Sequence, residues 1–131
     1  MQKYNPVGWF EIYVDDISRA KKFYEAVFQL QLQNLADPTE GADGNMKMEA
    51  FPMTMEEIPG ASGALVQMDG FKAGGNSTIV YFSSPDCSVE QSRVEAAGGK
   101  VAQPKMSIGQ FGFISLCFDT EGNMFGIHSI A

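Results

Sequence analysis

The sequence is short of basic charge, of histidine, of cysteine and of long apolar runs. Nine lysines and arginines stand against sixteen aspartates and glutamates, a formal net charge of −7. Nucleic acids and anionic membrane surfaces are bound through basic footprints, so neither is an expected partner. No apolar run approaches the roughly 20 residues that cross a bilayer, and no signal peptide is visible. The two cysteines, Cys87 and Cys117, have no metal-type spacing. Together these features predict a cytoplasmic protein with reduced thiols. The apolar fraction of 44% is ordinary for a globular domain. At 131 residues the chain is long enough to bury most of its apolar surface as one unit.

What is present is concentrated in residues 7–30, VGWFEIYVDDISRAKKFYEAVFQL. Val7 to Val14 is rich in aromatic and β-branched residues and reads as a strand. Alternation places Phe10, Ile12 and Val14 on one face and Trp9, Glu11 and Tyr13 on the other. The first face is purely apolar and is expected to pack on helices. The second is aromatic with one carboxylate in its middle, the composition of a ligand pocket. Asp15-Asp16 then opens a helix by accepting hydrogen bonds from its first-turn amides. Ile17, Ala20, Phe23, Tyr24 and Val27 recur at helical spacing as its buried stripe.

The rest of the chain repeats this order. Strands are expected over 29–35, 46–53 and 63–68, with a turn over 37–45 and an irregular stretch over 52–62. The segment DGFKAGGN, 69–76, is the most linker-like piece. A strand over 77–82, a helix over 89–97 closed by Gly98-Gly99, and strands over 100–103, 111–118 and 124–130 follow, with a loop over 104–110. The organisation predicted is one domain, 1–131. Its first module covers about 5–68, its linker 69–76 and its second module about 77–131, and each module reads β-α-β-β-β.

Three stretches carry a resemblance: FEIYVDDISRAKKFYEAVF at 10–28, VEAAGGKV at 94–101 and FDTEGNMFGI at 118–127. In this order they resemble the vicinal oxygen chelate superfamily, which includes glyoxalase I, extradiol dioxygenases and the fosfomycin- and bleomycin-resistance proteins. The resemblance implies an α+β fold in which two βαβββ modules pair into a half-open mixed β-barrel around a cavity, with helices outside. It also implies a homodimer. In the metal-using members, four strands each direct a His, Glu or Gln into the cavity. The first of those positions matches Glu11. The last matches Gly126, which cannot ligate, with His128 two residues on along the same strand face. The position in the second module's first strand falls near Ile79 or Tyr81, and the remaining one at Gln67. The set is incomplete, so no cofactor is assigned. A divalent metal, were one bound, would rest on Glu11 and His128.

Glu11 thus stands as metal ligand, general base or polar anchor for a substrate. Its plain alternative is a strand carboxylate reaching solvent. Trp9 and Tyr13 beside it favour a pocket, where burial would tune the carboxyl for proton transfer. His128, the one histidine, either joins Glu11 in acid–base work or is a solvated residue near the C-terminus. Phe113, Ser115 and Cys117 share one face of their strand and are expected to line the cavity. Ile114, Leu116 and Phe118, on the other face, are expected to pack on helices. Cys117 is expected to be an inert buried thiol. Met46, Met48, Met53 and Met55 cluster around a loop, either as an adaptable lid or as gap fillers.

Two functions follow. One is a protein that binds a small, partly hydrophobic molecule in a barrel cavity lined by Trp9, Tyr13, Gln67, Ile79, Tyr81, Phe113, Ser115 and Cys117. The other is a metal-dependent lyase, isomerase or dioxygenase with Glu11 as ligand or base. A third, a dimeric sensor or partner module, has less in the sequence to support it.

Overall fold

The structure, a computed structural model, describes residues 6–35, 46–53, 60–75 and 77–131. The 37–45 turn, most of the 52–62 stretch and Met55 lie outside the described residues. Ten elements follow one another: β1 (Trp9–Tyr13), α1 (Ile17–Phe28), β2 (Gln33–Leu35), β3 (Met46–Ala50), β4 (Ser62–Met68), β5 (Val80–Ser83), α2 (Cys87–Val94), β6 (Lys100–Ser107), β7 (Phe113–Phe118) and β8 (Met124–Ser129). A single 3-10 turn, Gly109–Phe111, joins β6 to β7.

The strands form two four-stranded sheets of identical topology, β1-β4-β3-β2 and β5-β8-β7-β6. In each, the first strand pairs parallel with the last and the remaining pairs are antiparallel. A parallel pair needs a crossover, and here the helix and the two middle strands supply it. The sheets are not closed into a barrel. Each ends on an open edge strand, β1 in one and β5 in the other. The two βαβββ modules and the half-open mixed architecture are those expected.

Helix α1 forms where the spacing predicts it. Ile17, Ala20, Phe23, Tyr24 and Val27 are its buried residues, and the Asp16 side chain caps it by accepting from Arg19 N at 3.1 Å. Gln29 ends it in the left-handed region, at φ 54°. Helix α2 starts at Cys87, directly after the turn over 83–86 that reads as a helix start, and Asp86 accepts from Ser88 N as its N-cap. It ends sooner than expected, at Val94. The chain then turns and reaches Gly98, whose φ of +103° suits glycine.

One core joins the two modules. Phe23 and Tyr24 of α1 meet Phe125 of β8 at ring-centroid distances of 5.8 and 5.7 Å, and Phe28 meets Phe82 of β5 at 4.3 Å. Leu65, Val94, Cys117 and Ile127 complete it from both sheets and α2. Burying a side chain of this size contributes about 1.5–3 kcal/mol, so the aromatic contacts alone tie the modules firmly. A second, smaller cluster of Met48, Ala50, Ala64 and Val66 sits on the face of β3 and β4 turned away from α1.

The expected loop over 104–110 is partly strand. β6 runs through Pro104 to Ser107, with register shifts between Val101 and Gln103 and between Gln103 and Met106. Among the described residues β6 is an edge strand, paired with β7 alone. An edge tolerates a residue without an N–H, which is where proline and bulges belong in a sheet.

Candidate functional site

β1 pairs with β4 along one side only, and its alternation does what the sequence predicts. Phe10 and Ile12 pack against the shared core. Trp9, Glu11 and Tyr13 project from the other face and form one hydrogen-bonded unit. Trp9 Nε1 donates to Glu11 Oε2 at 3.2 Å, and the Tyr13 hydroxyl donates to Glu11 Oε1 at 2.8 Å. Residues two apart on a strand share a face, so both donors reach the same carboxylate without any tertiary constraint. The Tyr13 hydroxyl is held above its ordinary pKa, first by donating to Glu11, then by partial burial and the charge of Glu11. It therefore remains a donor across the neutral range.

Phe71 from the linker stacks on Tyr13, with ring centroids 5.1 Å apart and planes 27° apart. The linker is not loose here. Phe71 bridges back to Met68, Ala73 N donates to Asp15 Oδ1, and Gly74 N donates to Asn123 Oδ1 at 2.6 Å. Trp9, Glu11, Tyr13, Lys72, Asn123 and Met124 line a groove of about 510 Å³ between β1 and the second module. Trp9, 40% exposed, also walls a neighbouring apolar groove of about 530 Å³ with Phe51, Met53, Tyr81 and Phe82.

The remaining candidates are not brought to Glu11. Gln67 lies on the helix side of β4 and its Oε1 accepts the Ile17 N–H at 2.9 Å, serving the start of α1. Phe113, Ser115 and Cys117 also face the helices, the reverse of the expectation. Ser115 and Cys117 are fully buried, and Cys117 belongs to the shared core. The cause is register: Ser115 and Cys117 pair with Ile127 and Phe125, which pack on the helices, so Ile114 and Leu116 take the other face. Burial raises the Cys117 pKa, against a contact with Ser115 that lowers it, and keeps the thiol inert.

Ile79 precedes β5 and is exposed. Tyr81 pairs with Gly126, and a Cβ at Gly126 would run into the Tyr81 ring. His128 lies further along the same face of β8, paired with Ser83, and its Nε2–H donates to the Phe111 carbonyl at 2.7 Å. It does not line the Glu11 groove. Glu11 is exposed rather than buried. Among the described residues no three His, Cys, Asp or Glu side chains converge as metal donors. The residues at the four carried-over positions therefore present one carboxylate, one side chain turned to a helix, one aromatic ring and one glycine, a donor set that does not fit a divalent ion.

The turn before β8 holds residues that the sequence reading left without a role. Asp119 accepts the Tyr24 hydroxyl at 2.7 Å and the N–H groups of Glu121 and Asn123. Asn123 Nδ2 donates to the Tyr13 carbonyl. Glu121 Oε1 accepts the N–H groups of Asp15 and Asp16 at 3.0 and 2.9 Å, and both its oxygens bind Arg19. Burial alone would raise the Glu121 carboxyl. Arg19, the Asp16 amide and Thr120 outweigh it and hold the pKa at about 2. Asp119 goes the other way, because burial exceeds the effect of its hydrogen bonds. A D-x-x-G-N turn thus fastens the end of β1 and the start of α1, and so fixes the strand that carries Glu11.

Two βαβββ modules around an open groove define a known class of α+β fold. The profile of the Glyoxalase/Bleomycin resistance protein/Dioxygenase superfamily matches residues 7–127, and the chain belongs to that family. No curated protein shows a significant match. Among solved structures, the hypothetical protein SA1046 from S. aureus is 16% identical, with a TM-score of 0.65 over 98% of this chain and 96% of that one. A glyoxylase/bleomycin resistance protein/dioxygenase domain from Frankia sp. EAN1pec is 17% identical, with a TM-score of 0.68 over 97% and 98%. Glyoxalase I from Zea mays is 18% identical, with a TM-score of 0.73 over 95% of this chain and 46% of that chain, so this chain spans about half of the maize enzyme's length. At these identities the likeness is one of fold.

Proposed function

We propose that the protein binds a small, partly hydrophobic molecule in the groove beside Glu11, without a divalent metal. The observation that carries this reading is the Trp9–Glu11–Tyr13 unit. Two neutral aromatic donors orient one carboxylate at the wall of a groove of about 510 Å³. Aromatic walls supply contact area, and a fixed polar group supplies orientation. The scatter of the other candidate donors, with Gln67 committed to α1 and Gly126 beneath Tyr81, supports binding over metal chemistry.

Family membership keeps a second reading, a metal-dependent lyase, isomerase or dioxygenase with Glu11 as ligand or base. Elemental analysis and titration with Ni²⁺, Zn²⁺, Mn²⁺ and Fe²⁺, in the natural protein and in Glu11→Gln, decide between the two. The binding reading expects no stoichiometric metal in either. Stoichiometric metal that Glu11→Gln abolishes would overturn it in favour of the enzyme.

A homodimer fits the exposed side chains Tyr81, Met106 and Phe111. The unpaired, fully buried Cys87 and Cys117 suit a reducing, cytoplasmic setting.

A further inference from the structure

We propose that the Glu11 groove selects an organic cation: an ammonium group carried on an aromatic or aliphatic body. The inference rests on the reading of that groove as a binding site and names the chemistry of its ligand.

The argument begins with the charge on Glu11. Among the described residues the ion pairs are Arg19–Glu121, Lys21–Glu49 and Lys105–Asp86, and Glu11 belongs to none of them. Among the described residues its hydrogen-bond partners are an indole N–H and a phenol O–H, both neutral. Such donors fix a carboxylate in place but do not compensate its charge. A carboxylate has about four lone-pair directions, and among the described residues one donor reaches each oxygen. The surroundings point the same way. The donors are themselves aromatic and line the groove, and Phe71 stacks on Tyr13 and steadies its ring. Ring faces attract cations, and aromatic walls around a negative group form the usual receptor for ammonium ions. An anionic ligand would meet repulsion from Glu11 and from a chain of net charge −7.

Lys72, next to Phe71, lines the same groove and opposes a cation there. Its position makes a second variant informative. Removing its charge is expected to tighten cation binding, whereas removing the Glu11 charge is expected to abolish the preference.

The test uses three probes of matched shape: 4-phenylbutylamine, 4-phenylbutan-1-ol and 4-phenylbutyrate. Each is titrated against the full chain while following the Nε1–H resonance of Trp9, the one tryptophan in the sequence. The amine is expected to bind about tenfold more tightly than the alcohol, the scale of one exposed ion pair with a cation–π contact, and the carboxylate more weakly than either. In Glu11→Gln, whose fold the same spectrum checks, amine and alcohol are expected to converge. In Lys72→Met the amine is expected to tighten. Equal affinity for amine and alcohol in the natural protein would overturn the cation inference while leaving the groove a binding site. If no probe moves the Trp9 resonance, the groove reading itself falls, and the inference with it.

Discussion

Arg19 and Glu121 stand 102 residues apart in sequence and meet through two hydrogen bonds of 2.6 and 2.8 Å. The Glu121 side chain is fully buried, and the same carboxylate also receives the amides of Asp15 and Asp16 at the start of α1. One residue of the second module therefore acts as a cap for the first module's helix. The link also fixes the end of β1, and through it the orientation of Glu11.

Glu121→Gln keeps an acceptor for the two amides and loses the charge. We expect a destabilisation on the order of 2 kcal/mol at neutral pH, the scale of charge-assisted hydrogen bonds. The pH dependence has a definite sign. The folded pKa is about 2, below the ordinary 4.5, so the contribution is fully present above about pH 4.5 and is lost as the pH falls toward 2. Asp119, raised by burial, acts in the opposite sense but is common to both proteins. The difference in unfolding free energy between natural protein and variant should therefore shrink between pH 4.5 and 2. Denaturant unfolding at stepped pH measures it, and a difference independent of pH would remove Arg19–Glu121 from the account.

Tyr24→Phe leaves the aromatic core intact and deletes the hydroxyl that donates to Asp119. Burial and the charge of Asp119 hold the Tyr24 hydroxyl protonated well above its ordinary range, so it donates at every accessible pH. Its loss strips a partner from a buried carboxyl, and we expect a cost of about 1–3 kcal/mol. Thermal unfolding gives the number. An unchanged midpoint would mean that the remaining amide donors satisfy Asp119 by themselves.

Gly126→Ala brings a methyl group against the Tyr81 ring. Tyr81 is 46% exposed, so the ring can swing toward solvent. We expect a cost below about 1 kcal/mol, at the mild end of overpacking. A crystal structure of the variant should show the ring displaced. A cost well above this range would show that Tyr81 is locked in place, by a partner subunit or by the groove itself.

Much of the fold was legible because it is local. The stripe from Ile17 to Val27 follows helical spacing, Asp16 caps through its own side chain, and Trp9, Glu11 and Tyr13 share a face by strand alternation alone. Three features were not legible, each for its own reason. In FISLCF, 113–118, both faces are largely apolar, so alternation divides them without saying which turns inward. Pairing with β8 made that choice, and Ser115, the most polar-looking residue, went to the buried side. Pro104 reads as a strand breaker, yet β6 passes through it because its outer edge is unpaired. Gln67 looked like a cavity donor, but β4 turns it to the N-terminus of α1.

The sequence by itself determined the family, the order of elements and the aromatic setting of Glu11, since these depend on neighbours one to four residues apart. Only the tertiary structure decided which strand faces line the groove and that Glu121 holds the modules together. Strand register and contacts across 102 residues arise when two sheets and two helices bury their apolar faces at once, and no local spacing encodes that.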